Sequence, residues 1–207
     1  MHISEGVLKP EIIIPASILS VSLAVYLIYK LKPYQIPKIA CMSAIFFVAS
    51  FIHIPIGATS VHLILSGFVG AVLGVDAFLA IFIGLLLQAV FFAYGGISVL
   101  GVNAIIIGFP AILAIVFVRL FSKNKNIIFL FLAGFVPILL SSFLLSLVLV
   151  LNGDEFIAIA KLAFVANSVL SIIEGIIAFF GLQFIYKVNK DILKWQKFCF
   201  CVCLWYL

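Results

Sequence analysis

His2, His53 and His62 are the only three histidines in this 207-residue sequence, and the first follows Met1 directly. That position has its own chemistry. The free amine of Met1, the backbone nitrogen joining residues 1 and 2, and the imidazole Nδ1 of His2 can close fused five- and six-membered rings on one ion. Three nitrogens then lie in a plane, and a fourth from His53 or His62 completes the square-planar set that points to Ni(II) or Cu(II). Ionising the backbone amide favours those ions over Zn(II) or Mg(II), and imidazole is the commonest side-chain ligand for metals of this type. The chemistry requires an unmodified Met1. The expectation is that the terminus is kept, because residues 1–11 show no basic region, apolar run and small-residue cleavage site of a secretory signal. The four cysteines stay apart from this set: Cys41 is alone, and Cys199, Cys201 and Cys203 alternate in the tail without a CxxC pair.

Histidines so far apart in sequence need a scaffold to meet. Hydrophobic residues make up 67% of the chain, charged residues 9%, and there are 22 Phe, more apolar surface than a soluble domain of this size could bury. The sequence therefore predicts an all-α polytopic membrane bundle. Breaks at charges, Pro and Gly mark about seven spans: Glu11 to Tyr29, Ile39 to Ile54, Ser60 to Val75, Ala77 to Tyr94, Leu100 to Phe121, Ile127 to Leu151 and Phe156 to Tyr186. The third is short and carries Gly67, Gly70 and Gly74, as expected of a tilted or partly re-entrant segment buried by neighbours. In the last, Lys161 and Asn167 suggest an interfacial turn before the membrane helix. Residues 1–193 read as one transmembrane domain, followed by an apolar, Cys-rich extension at 194–207.

Charge sets the expected orientation. With the N-terminus outside, Lys30, Lys32, Lys38, Arg119, Lys123, Lys125, Lys187, Lys190, Lys194 and Lys197 all face the cytoplasm, ten of the twelve basic residues. The opposite loops, "HIPIGATS", "YGGIS" and "NGDE", hold no Lys or Arg. The positive-inside rule thus gives an outer N-terminus and an inner C-terminus in the cell's cytoplasmic membrane. The net charge of +5 reflects topology and is no nucleic-acid footprint. All three histidines then share the outer face.

"MHISEGVL", "FVASFIHIPIGATSVHLILSGFVGAVLG" and "LLLQAVFFAYGGISVLGVNA" together resemble the CbiM/NikM family, the substrate-binding membrane components of energy-coupling-factor importers for cobalt and nickel. The resemblance implies that Ni(II) or Co(II) is held by the amine of Met1, by the backbone and side chain of His2, and by His62. It implies capture from the outer face, uptake driven by a transmembrane coupling component and two ATPase subunits, and in some systems a small accessory membrane subunit. Cobalt as cargo would connect the chain to cobalamin synthesis. His53, Thr59, Ser60 and Asn103 are candidate hydrogen-bond partners that fix the imidazoles, with an interhelical bond as the alternative for Asn103. "SEGVL" is expected to wrap the N-terminal peptide back over the bundle, with Glu5 bonding that turn. Gln88 and Asn167 read as interhelical glue. Glu174 lies inside the last span, where acids tend to be functional, yet nothing in the sequence pairs it with the histidines.

No GxxxxGK[ST] motif occurs, so the chain has no ATP site of that kind and reads as a transport subunit rather than an enzyme. Ala16, Ser20 and Ala24 form a small-residue stripe on the first helix, suited to a coupling component or to packing within the bundle. A stand-alone divalent metal channel or secondary carrier is the competing class; it predicts several acids inside the spans. Trp195 and Trp205 suggest an interfacial role for the C-terminal extension.

Overall fold

The computed structural model describes residues 3–56, 59–189 and 191–194. Helix α1 spans Pro10–Lys30 and α2 Ile36–Ala49; a hairpin of β1 (His53–Ile56) and β2 (Thr59–His62) follows. Then come α3 (Ser66–Leu73), α4 (Ala77–Phe92), α5 (Leu100–Asn124), α6 (Ile128–Asn152), α7 (Ile157–Val188) and a single turn, α8 (Asp191–Lys194). Helix α1 starts at Pro10, where a missing N–H leaves no bond unmade, after an extended Lys9 (ψ 147°).

Five stretches are long and apolar enough to cross a membrane, Pro10–Lys30, Ser66–Phe92, Leu100–Asn124, Ile128–Asn152 and Asp154–Val188, and Pro33–Ala49 adds a shorter apolar helix. The molecule is a multi-pass helical membrane protein; five stretches meet that measure, fewer than the seven spans the sequence suggests. Two physical causes account for the difference. The 14 residues of α2 rise only ~21 Å, short of the ~30 Å hydrocarbon core. The segment Ser60 to Val75 is no single helix: it comprises most of β2, a linker and the eight residues of α3. The helical-bundle expectation holds, with one short two-stranded hairpin interrupting it among the described residues.

Gly74 breaks Ser66–Phe92 in two. Its φ of +66° lies where an L side chain is strained, and a 3₁₀ turn, Gly74–Asp76, follows. Before the turn Gly70 lies on Ala111 and Gly74 on Ile115; after it, Phe78 lies on Gly108. The chain therefore runs down α5 as α3 and back up it as α4. Helix α2 runs the same way as α4: Gln35 Nε2 donates to Asp76 Oδ2 at 2.7 Å, and further along Phe46 packs on Gly84.

Close approach of backbones holds α3 in the centre. A side chain at Gly67 would strike the main chain of Ala133 and Gly134, and one at Gly70 the main chain of Ala111; small residues permit such contacts between helices. Ser66, Gly67, Val69, Gly70, Ala71 and Val72 are all buried. The stripe on α1 serves the same end. Ser20 and Ala24 are buried in the chain's own bundle, Ala16 packs against the core, and Gly101 of α5 lies on Ser17, while Ile14, Ile18 and Val25 face outward. Small residues let α5 approach, so Ala16, Ser20 and Ala24 do not form an open docking face. The interfacial turn expected at Lys161 and Asn167 is also absent. Helix α7 is continuous over 32 residues, and Asn167 Nδ2 donates to Ala163 O within it at 2.7 Å.

Candidate metal site

The hairpin joins two of the three histidines. Strands β1 and β2 are antiparallel, and His53 lies directly opposite His62, which puts the two side chains on one face. Their ring centroids are 6.1 Å apart with planes at 64°. His53 is exposed and His62 partly buried. Each Nδ1 faces a main-chain carbonyl, Phe51 O at 3.0 Å for His53 and Leu63 O at 3.2 Å for His62. A carbonyl can only accept, so each Nδ1 carries the proton and each Nε2 keeps a lone pair. His62 lies in the hairpin outside the long spans, and burial, with a smaller contribution from His53, pushes its imidazole down to about 3. It is thus neutral, as a ligand must be, across the ordinary pH range.

The N-terminal strap is tied to the ends of α5 and α6. Asn103, at the start of α5, binds Ile3 in both directions: Ile3 N donates to Asn103 Oδ1 at 3.0 Å, and Asn103 Nδ2 donates to Ile3 O at 3.1 Å. Asn152, at the end of α6, does the same further along. It accepts from Lys9 N and donates to Val7 O, both at 2.8 Å. Between them Ser98 N donates to Glu5 Oε1 at 3.0 Å, and this bond holds the Glu5 carboxyl below its ordinary value. Ile3 and Leu8 are buried, and Ile3 shares one continuous apolar cluster with Leu63 and Ile64. The strap and the end of β2 thus join the same core.

Glu174 is the residue that sequence reasoning left without a partner. It is 1% exposed on α7, and its carboxylate accepts from Ile64 N (2.5 Å) and Leu65 N (2.9 Å). Those amides follow His62 by two and three residues and lead into α3, whose preceding Leu65 is left-handed (φ 56°) and has no side-chain cap. The carboxylate supplies what the backbone lacks there and fixes the end of the strand that carries His62. An acid inside an apolar span was the available signal; Asn152 gave a weaker one, at the edge of an "NGDE" turn.

Of the other predicted residues, Met1, His2, Trp195, Trp205 and the three tail cysteines lie outside the described residues, as does the extension beyond residue 194. Thr59 pairs with Ile56 and Ser60 with Pro55 in the hairpin register; their side chains lie outside the description. Among the described residues no three metal-ligating side chains cluster. Among the described residues Gln88 and Asn167 do not glue helices: neither amide atom of Gln88 has a hydrogen-bond partner there, and Asn167 bonds only its own helix.

Comparison with known proteins bears on this arrangement. The family model CbiM, described as the cobalt uptake substrate-specific transmembrane region, matches residues 2–192. The chain belongs to the CbiM family. A Methanocorpusculum labreanum relative named for cobalt transport, CbiM 2, is 33% identical, over 94% of this chain and 92% of its own length. A Haemophilus influenzae protein named for metal transport is 45% identical over 55% of each chain. An Archaeoglobus fulgidus protein named as a fused nickel transport protein, NikMN, is 36% identical over 50% of this chain. The matches cover about half of the Haemophilus protein and 36% of the Archaeoglobus one. Two crystal structures of a transition metal transporter share the CbiM fold seen here. One, not described as truncated, gives a TM-score of 0.78 at 22% identity, over 92% of this chain and 94% of its own. The truncated form gives 0.76 at 21% identity, over 90% and 99%.

Proposed function

We propose that this chain is the metal-capturing subunit of an importer for Ni(II) or Co(II), with the ion held by the Met1 amine, the His2 amide and imidazole nitrogens, and His62 Nε2. The observation that carries this reading is the reciprocal pairing of Asn103 with Ile3. It ties the main chain one residue after His2, at the outer end of α5, into the cluster that also holds Leu63 and Ile64. From that anchor the two chelating residues have about 7 Å of chain, so the amine and imidazole act within that reach of Ile3.

The reversal at Gly74 supports seven crossings, with α3 completing the third beneath the hairpin. The strap, the hairpin and the loop at 93–99 then share the outer side, and Lys38, Lys125 and Lys187 the cytoplasmic side of the inner membrane. Uptake is driven by separate subunits, a coupling component and two ATPases, since the chain carries no phosphate-binding loop. The relatives' names, cobalt for one and nickel for another, agree with the two cargoes proposed, and nickel is the one of them that a planar nitrogen set favours.

Nickel titration of the native chain against one whose Met1 amine is acetylated tests the chelate. Acetylation removes the primary amine without creating a new one and is expected to weaken Ni(II) binding by about 100-fold, the upper range for loss of a metal-site partner. Equal affinity for the two chains would overturn the reading.

A further inference from the structure

We propose that α8 is a plug: Leu193 closes the bundle at the end of α3 away from the hairpin, and the foot of α2 latches both the plug and the α3–α4 reversal. That this is the end where the ion leaves rests on the function proposed above; the plug itself rests on packing and hydrogen bonds at that end. Helix α7 stops at Val188, Asn189 is extended (φ −151°, ψ 96°), and the chain then makes one further turn as α8. A helix of one turn does not hold itself, so tertiary contacts set its place. Leu193 is 6% exposed and joins an apolar cluster that includes Ala71 and Val72 of α3, Ala114 of α5 and Ala178 of α7. It thus packs into the core that the last turn of α3 shares with the long helices.

Two side chains at the foot of α2 close the same place. Gln35 Nε2 donates to Asp76 Oδ2 at 2.7 Å, in the reversal after α3, and three residues on Lys38 Nζ donates to Ile192 O at 3.2 Å. One short stretch of chain therefore ties down the reversal and the plug together.

The two are not held equally. Helix α3 is fixed by main-chain contact through Gly67 and Gly70. Among the described residues α8 is held to the bundle by the side chains of Ile192 and Leu193 and by the Ile192 carbonyl. Elements with few buried contacts open locally while the rest of a fold stays closed. Opening here is a conformational step without bond chemistry: Leu193 leaves its cluster, Lys38 exchanges Ile192 O for water, and the last turn of α3 meets solvent.

Thiol labelling of the detergent-solubilised full chain reads this opening. Cys41, Cys199, Cys201 and Cys203 are first replaced by serine, and Val72→Cys then places one thiol in the cluster that Leu193 joins. Its reaction with a polar maleimide is expected to be slow, and to quicken by on the order of tenfold or more when Leu193→Ala cuts back the buried side chain. Lys38→Met, which removes the donor and keeps the stem, is expected to quicken it less, and a chain ending at Asn189 to quicken it most. Ile107→Cys, in the fully buried middle of α5, is the control whose rate should not change. Unfolding midpoints check that each variant is folded. Equal rates at Val72→Cys with and without α8 would overturn the plug, and so would a parallel rise at Ile107→Cys, which would make α8 a brace of the whole bundle. The labelling needs no metal, so failure of the capture reading, seen as nickel affinity that ignores acetylation, leaves it untouched.

Discussion

The end of the molecule that carries the strap and the hairpin and its helical interior are held together by opposite means. In the interior, α3 packs on α5 and α6 through glycines whose missing side chains let main chains touch, with Gly70 on Ala111 and Gly67 on Ala133 and Gly134. In the strap and hairpin the chain is extended or turning, and its amides and carbonyls have no helical partners. Side chains supply them: Asn103 for Ile3, Asn152 for Val7 and Lys9, Glu5 for Ser98, and Glu174 for Ile64 and Leu65. Non-helical chain at membrane depth is tolerated only where protein or water satisfies it. The comparison teaches that a strap and hairpin made from extended main chain need polar side chains sent from the bundle to hold them, and that the bundle itself does not.

Glu174→Ala gives the sharpest contrast. It leaves two buried N–H groups without an acceptor, at about 1–3 kcal/mol each, and frees the strand end that carries His62. A fall in nickel affinity of about 10–100-fold is expected, the range for partners that orient ligands, together with a lower unfolding midpoint in detergent. Glu174→Gln, which keeps one acceptor oxygen, is expected to fall between wild type and Ala. A variant that unfolds earlier yet binds nickel as tightly would show that Glu174 braces α7 and leaves the hairpin alone.

Gly70→Ala tests the other half of the comparison. The new Cβ would overlap the main-chain carbonyl of Ala111, which cannot yield as a flexible side chain could. Overpacking of this kind costs about 1–3 kcal/mol, so the unfolding midpoint should drop while the folded fraction keeps its nickel affinity. If affinity fell in proportion to stability, the two regions would be one cooperative unit and the contrast would fail.

The membrane bundle, the glycine-rich third segment and the return of the N-terminal strap were legible because polar residues and glycines stand out in so apolar a sequence. The hairpin was not. "HIPIGATSVH" gives no clean alternation, and its pairing depends on being held between α2 and α3. The partners of Glu174 were equally hidden, because they are backbone amides some 110 residues away in sequence. Every residue carries such a donor, so nothing in the side chains marks which ones the fold leaves unpaired. The merging of α3 and α4 into one broken element likewise turns on the dihedral angles of Gly74, and a glycine's identity only permits them.

The smallest effect should come from the one tether of the strap that lies open to water. Ser98 N binds the Glu5 carboxylate, and Gly96, at φ +100°, passes so close that a Cβ there would run into the Glu5 side chain. The hydrogen bond from Ser98 lowers the folded-state value of this carboxyl below its unfolded one. Its contribution is therefore present above the unfolded value and lost as pH falls through the lower, folded value. Hydrogen-exchange protection of the Ser98 amide, corrected for the intrinsic pH dependence of exchange, should hold from neutral pH down to about 4.5 and decline below that. Glu5→Gln should show weaker protection with no such decline, because an amide does not titrate there. The Asn103 and Asn152 tethers carry no titrating group, so Ile3 and Lys9 should keep their protection over the same range. A parallel loss at all three positions would mean that the strap releases as a whole, with Glu5 as its fastening.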